Sequence, residues 1–218
     1  MESGDYSMTS VSLKLDGVSK EFNRRLIFRD VSISLQGGDT LAITGRNGSG
    51  KSTLVKILCG LLSPTRGTLM YALDGKDIEV DAIKDHIGLV SPYLQMYDEF
   101  TGLENLEVLS RIRADRNITG ETIAEALKNV GLWDRRNDFV RTYSSGMKQR
   151  LKYAFAVLHR PGVLVLDEPT SNLDADGIAM VERCVREQRS HGMLIVATND
   201  ADEAIWCSQR VVLGDEKV

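Results

Sequence analysis

The chain has 218 residues, 27 of them Lys or Arg against 31 Asp or Glu, for a formal net charge of −4. That is length enough for one good-sized α/β domain, and the balance excludes a polybasic nucleic-acid footprint in the total. Cys59, Cys184 and Cys207 lack metal or disulfide spacing and read as small hydrophobes in a reducing compartment; no apolar run could cross a bilayer, and no signal peptide is expected.

Residues 1–9 are polar and read as a frayed start. Val11, Leu13 and Leu15 alternate with polar residues, as do Val31, Ile33 and Leu35, which predicts half-exposed antiparallel strands. Between them lies Lys20-Glu21-Phe22, where Phe22 is either a packing residue or a platform for a nucleotide base. Gly37-Gly38-Asp39 turns the chain into a buried strand, Leu41-Ala42-Ile43-Thr44. A helix through Leu54-Val55-Lys56-Ile57-Leu58 follows and is stopped by Gly60 and Ser63-Pro64. Strands are expected at 68–71 and 87–90, and Ser91-Pro92 then breaks the pattern.

The next stretch changes period. Leu103, Leu106, Leu109 and Ile112 recur at helical spacing, as do Ile123, Leu127 and Val130 before Gly131. The reading is a helical insert over 92–150, packed through Trp133 and Phe139, within a single domain whose core is 1–91 and 151–218. Met147, Leu151, Ala154, Phe155 and Leu158 share a helical face that starts after Ser144, a fitting N-cap. Val163-Leu164-Val165-Leu166 is a continuous apolar run, as a central parallel strand requires. A helix carrying Ile178, Val181 and Val185, a buried strand at 193–197, a short acidic-started helix and a strand at 211–213 complete the chain, with no sizeable tail or further domain expected.

Three stretches carry chemistry. Gly45-Arg46-Asn47-Gly48-Ser49-Gly50-Lys51-Ser52-Thr53 fits the phosphate-binding loop pattern between a strand and a helix. Its glycines let backbone N–H groups crowd a polyphosphate, and the helix adds orphan donors and its positive dipole end. Lys51 would charge-pair the terminal phosphates, and the Ser52 hydroxyl would face Mg2+. The second stretch is the Ser144-Ser145-Gly146 helix start, which reads as an ordinary capped helix or as a second anion site. Third, Asp167 and Glu168 end the apolar strand, where a second Mg2+ partner and a base polarising the attacking water belong.

In this order, from Val11 to Leu213, the motifs resemble the ATP-binding cassette ATPases, the nucleotide-binding subunits of ABC transporters. The resemblance implies a fold of the phosphate-loop NTPase type: a mainly parallel sheet with flanking helices, N-terminal antiparallel strands and an inserted helical subdomain. It also implies ATP and Mg2+ as ligands, with Phe22 as the base-stacking aromatic. Ser144, Ser145 and Gly146 would cap the γ-phosphate of a partner's ATP in trans, with Asp174 at that interface. The implied assembly is a homodimer, or a heterodimer with another cassette, on a separate transmembrane permease at the cytoplasmic membrane face, with no nucleic acid and a lean toward export.

Several positions depart from the family pattern. Ser145 replaces a glycine, and Met147 replaces a glutamine. Pro92 stands at the family's loop glutamine, leaving Gln95 as a substitute metal contact, and Asn199 stands at its switch histidine. Asparagine can hydrogen-bond a γ-phosphate but cannot carry its positive charge. Slowed hydrolysis is therefore expected, and the alternative is a nucleotide-gated binding module with very slow turnover.

Overall fold

The computed structural model describes residues 10–113 and 118–214. Two sheets organise them. β1 (Val11–Phe22) pairs antiparallel with β2 (Arg25–Leu35) and with β4 (Arg66–Leu73), and β5 (Lys76–Ile78) extends that sheet. The second sheet is wholly parallel, in the order β6 (Ile87–Val90), β7 (Val163–Asp167), β8 (Met193–Ala197), β3 (Thr40–Gly45), β9 (Gln209–Leu213).

The two-residue period of a strand partitions the core. Val163, Val165, Met193 and Ile195 face α1 (Lys51–Leu58) and the antiparallel sheet. Leu164, Leu166, Leu194 and Val196 face the opposite layer, built with α4 (Ser145–Val157) and α5 (Ala175–His191). All eight side chains are fully buried. Burying a side chain of this kind contributes roughly 1.5–3 kcal/mol, so both faces of the sheet are held and its register is fixed.

α1 buries Leu54, Val55, Ile57 and Leu58 and ends at Gly60, whose φ of 65° is the left-handed value a helix stop needs. There Gly60 N–H donates to Ile57 O at 2.9 Å and Leu61 N–H to Lys56 O at 2.8 Å, a Schellman pair. α2 (Gly102–Arg113) and α3 (Gly120–Asn129) lie between β6 and β7 in the chain, and their apolar residues Leu106, Ile123 and Leu127 join the second core layer.

The N-terminal frayed stretch lies outside the described residues, and two local expectations change. Lys20-Glu21-Phe22 belongs to β1 itself. The strand runs on past a bulge near Gly17, and Asn23 and Arg24, at φ 50° and 65°, make a tight hairpin with β2. Phe139 does not anchor the helical insert: it is 43% exposed with the Arg141 guanidinium over its ring, while its neighbour Val140 is fully buried. Trp133 is half-buried against the core, its outer faces covered by Lys128 and Arg136.

Candidate nucleotide-binding site

In a parallel sheet every strand's C-terminal end lies on one edge, where ligands of such sheets bind. The order β6-β7-β8-β3 therefore sets Ser91, Asp167, Thr198-Asn199 and the loop from Gly45 side by side, one strand spacing of about 4.8 Å apart. Four segments distant in sequence become neighbours through strand order alone.

The loop from Gly45 to Gly50 wraps the start of α1. Gly45 has φ 143°, and a Cβ there would sit 2.3 Å from Leu213 O, so only glycine fits. Gly50, at φ 101°, is the N-cap of α1 and brings no side-chain cap; a Cβ would meet Ile27 Cγ2 at 2.6 Å. The first-turn N–H groups of α1 consequently face the loop interior without a side-chain acceptor, joined by the helix dipole's partial positive charge. Lys51 is 6% exposed, and its Nζ donates to Gly45 O at 2.8 Å and Arg46 O at 3.4 Å. An ammonium has three donors, so one remains for a phosphate oxygen.

Asp167 is 1% exposed at the end of β7. Its Oδ2 lies 3.5 Å from Ser91 Oγ, and its Oδ1 is buried with no hydrogen-bond partner among the described residues. Burial pushes the carboxyl above the usual carboxylate range; the Ser52 hydroxyl opposes this, Glu168 adds to it, and Ser91 and Lys51 oppose it. A buried oxygen left unsatisfied costs roughly 1–3 kcal/mol, and a hard cation beside Ser52 would satisfy it. The donor set thus fits Mg2+. Glu168 follows at φ 52°, a left-handed conformation that costs a non-glycine residue on the order of 1–3 kcal/mol, and its N–H donates to Ala197 O at 2.9 Å.

Asn199 is exposed at the end of β8, and its Nδ2 donates to Asn47 Oδ1 at 3.3 Å, tying this strand end to the phosphate loop. Phe22 is 44% exposed, with Lys20 Nζ 4.8 Å from its ring centroid. β2 brings the same hairpin to the loop through Ile27 and Phe28 at Gly50. Arg46 and Gly48 are exposed and Thr53 half-buried, while Ser49 Oγ is a second buried oxygen without a partner.

Ser144, Ser145 and Gly146 stand apart from this edge, and no described hydrogen bond joins them to residues 45–53. Ser144 caps α4, its Oγ accepting from Met147 N at 3.2 Å. The helix start opens onto a concavity of about 340 Å³ that also includes Arg150, Asn172 and Asp174. Asp174 caps α5 by accepting from Gly177 N at 2.8 Å, and it accepts from Arg150 Nη2 at 2.6 Å. Those bonds, the Gly177 one first, hold its carboxyl below the usual range. A larger cavity of about 660 Å³, lined in part by His86, Glu125, Cys184 and His191, contains none of the candidate residues.

Gln95 is exposed and hydrogen-bonds neither Asp167 nor Ser52 among the described residues. Two residues at the site carry no motif signal. Ser91 sits beside Asp167 at 4% exposure. Glu203, 5% exposed, accepts from Thr170 N at 3.1 Å, from Thr170 Oγ1 at 2.5 Å and from Thr198 Oγ1, bracing the loops that carry Glu168 and Asn199.

Comparison with known proteins agrees with this geometry. Residues 28–171 match the family model described as ABC transporter. The chain is 32% identical to the lantibiotic transport ATP-binding protein SrtF of Streptococcus pyogenes, covering 86% of this chain and 79% of that one. It is 34% identical to the aliphatic sulfonates import ATP-binding protein SsuB of Pectobacterium atrosepticum, covering 94% and 74%. The dimeric structure of MJ0796, a bacterial ABC transporter cassette, superposes with a TM-score of 0.81 at 24% identity, over 92% of this chain and 94% of that one, and shows the shared fold. The chain therefore belongs to the ABC transporter family, and it is one of that family's ATP-binding ATPases.

Proposed function

We propose that the chain energises a transporter as one half of a head-to-tail dimer, hydrolysing ATP between the phosphate loop of one copy and the Ser144 helix start of the other. The observation that carries this reading is the separation of the two anion sites. Buried Lys51 and Asp167 with half-buried Ser52 form one half-site, while the Ser144–Gly146 start opens onto the concavity it shares with Asn172 and Asp174 and makes no described hydrogen bond to residues 45–53. A second copy brings the two halves together, and MJ0796, of the same fold, is described as dimeric.

Within one site the roles follow from placement. The loop N–H groups and Lys51 hold the β- and γ-phosphates, and Phe22 offers a ring face to the base, opposite Lys20. Ser52 and Asp167 hold Mg2+, which supplies charge neutralisation to the terminal phosphates when bound. Glu168 orients the attacking water, its backbone pinned to β8 by the Ala197 bond. Asn199 reaches the γ-phosphate as a neutral donor once it leaves Asn47. Asp174 lies beside the Ser144 concavity and would meet the partner there.

No helix among the described residues is long and apolar enough to cross a membrane. We assign coupling to a separate permease at the cytoplasmic face; closure around ATP shifts that partner because ATP binds the closed pair better. We assign the direction of transport to the permease: the relatives' own names point both to lantibiotic transport and to sulfonate import. Lys51→Ala and Ser144→Arg test the shared site. Lys51→Ala loses most ATP affinity, whereas Ser144→Arg binds ATP as a monomer but neither dimerises nor hydrolyses. Equal loss of ATP binding in both would refute it.

A further inference from the structure

Ser91 is built into the cation edge by four hydrogen bonds of its own. Its carbonyl accepts from Leu94 N at 3.1 Å and from Lys152 Nζ at 3.1 Å. Its Oγ accepts from Tyr93 N at 3.3 Å and sits 3.5 Å from Asp167 Oδ2. The following Pro92 further confines the Ser91 backbone to extended conformations. A serine hydroxyl has one proton and two lone pairs. The proton is directed at Asp167 Oδ2 and one lone pair is taken by Tyr93, which leaves one lone pair for a further partner beside a carboxylate whose Oδ1 is itself unpartnered among the described residues.

We infer that the Ser91 hydroxyl is a ligand of the nucleotide-bound divalent cation, taking the place for which neither Pro92 nor Gln95 supplies an amide. This rests on the Asp167–Ser52 cation site of the proposed function. Oxygens at adjacent corners of an Mg2+ octahedron lie about 3 Å apart, from bond lengths of roughly 2.0–2.1 Å. The 3.5 Å between Ser91 Oγ and Asp167 Oδ2 closes to that spacing with a shift of a few tenths of an ångström. Pro92 has no side-chain oxygen, and Gln95 is exposed on the loop beyond it. Burial at 4% shields the Ser91 oxygen from competing water, and its fixed backbone removes the ordering cost a mobile glutamine would carry.

The test measures cation coupling rather than turnover. AMP-PNP affinity is titrated calorimetrically in MnCl2 and in EDTA, and the ratio of the dissociation constant in EDTA to that in MnCl2 is compared among variants. Ser91→Ala lowers that ratio about 10-fold, the low end of what losing a partner at a metal site costs, and leaves the EDTA affinity unchanged. Ser91→Thr and Gln95→Ala keep the wild-type ratio. An unchanged ratio in Ser91→Ala, or a lowered one in Gln95→Ala, overturns the assignment.

Ser91→Cys decides the matter should the alanine variant fold poorly. A sulfur ligand favours soft over hard cations, so coupling weakens with Mg2+ and recovers with Cd2+. Parallel behaviour of wild type and Ser91→Cys with the two metals also overturns the assignment. A wild-type protein whose AMP-PNP affinity ignores the cation altogether removes the Asp167 site as well, which separates that failure from a failure of Ser91 alone.

Discussion

Replacing Glu203 tests whether the two loops that carry Glu168 and Asn199 are held by a single carboxylate. Glu203 Oε1 accepts from Thr170 N and Oγ1, and Oε2 accepts from Thr198 Oγ1, all in a site where the residue is 5% exposed. Glu203→Ala strands three donors. The two hydroxyls can turn toward other acceptors, but the Thr170 N–H cannot, so the loss is roughly 1–3 kcal/mol, the cost of one unsatisfied group. In a chain of this size that is about 2–12 °C in Tm, at about 2–4 °C per kcal/mol. Glu203→Gln keeps an oxygen for Thr170 and presents an NH2 to Thr198 Oγ1, which already accepts from Asp200 N at 2.9 Å and has one more lone pair. That variant loses only about 1 kcal/mol. Differential scanning calorimetry reads both. ATP turnover adds the functional arm: kcat falls in Glu203→Gln with KM within about twofold, because the phosphate loop is untouched. A Glu203→Ala protein that melts with wild type, or a glutamine variant that falls as far as the alanine one, refutes the reasoning.

Asn199→His restores a chargeable group at the β8 end and raises kcat severalfold in a dimeric, partner-coupled preparation; unchanged turnover ends the idea that the asparagine slows hydrolysis. Gly45→Ala places a Cβ 2.3 Å from Leu213 O, so ATP affinity and Tm fall together, whereas Gly48→Ala meets no atom within 4 Å and is strained only by its φ of 82°. Asp174 has a lowered folded-state pKa, so its contribution is present above the ordinary carboxylate value of 3.8 and is lost as pH falls through and below it. Asp174→Asn, which keeps the α5 cap, therefore melts below wild type at pH 7, and thermal melts show the gap closing toward pH 3.

The sequence was most legible where a motif sits on a periodic element. Gly45–Thr53 between β3 and α1, and Asp167 closing the Val163–Leu166 run, could be placed because glycine spacing and an unbroken apolar strand each have one physical reading. The antiparallel pairing of β1 and β2 was legible, but the place of their turn was not, because Asn23 and Arg24 adopt positive φ without the glycine that advertises such a turn. Phe139 misled because an aromatic in a helical insert was read as core, whereas an arginine lies across its outward-facing ring. Ser91 and Glu203 were hidden for a different reason. Their roles depend on strand order, and no local pattern states that β6 lies beside β7 or that the turn after β8 reaches back to Thr170.

Light scattering on the Glu168→Gln variant puts the shared-site account to its most direct trial. With ATP and Mg2+ the account predicts twice the monomer mass, a mass that returns to monomer when Lys51→Ala or Ser144→Arg is added. A protein that stays monomeric with ATP, Mg2+ and Glu168→Gln, in solution and in membranes holding its permease alike, contradicts it.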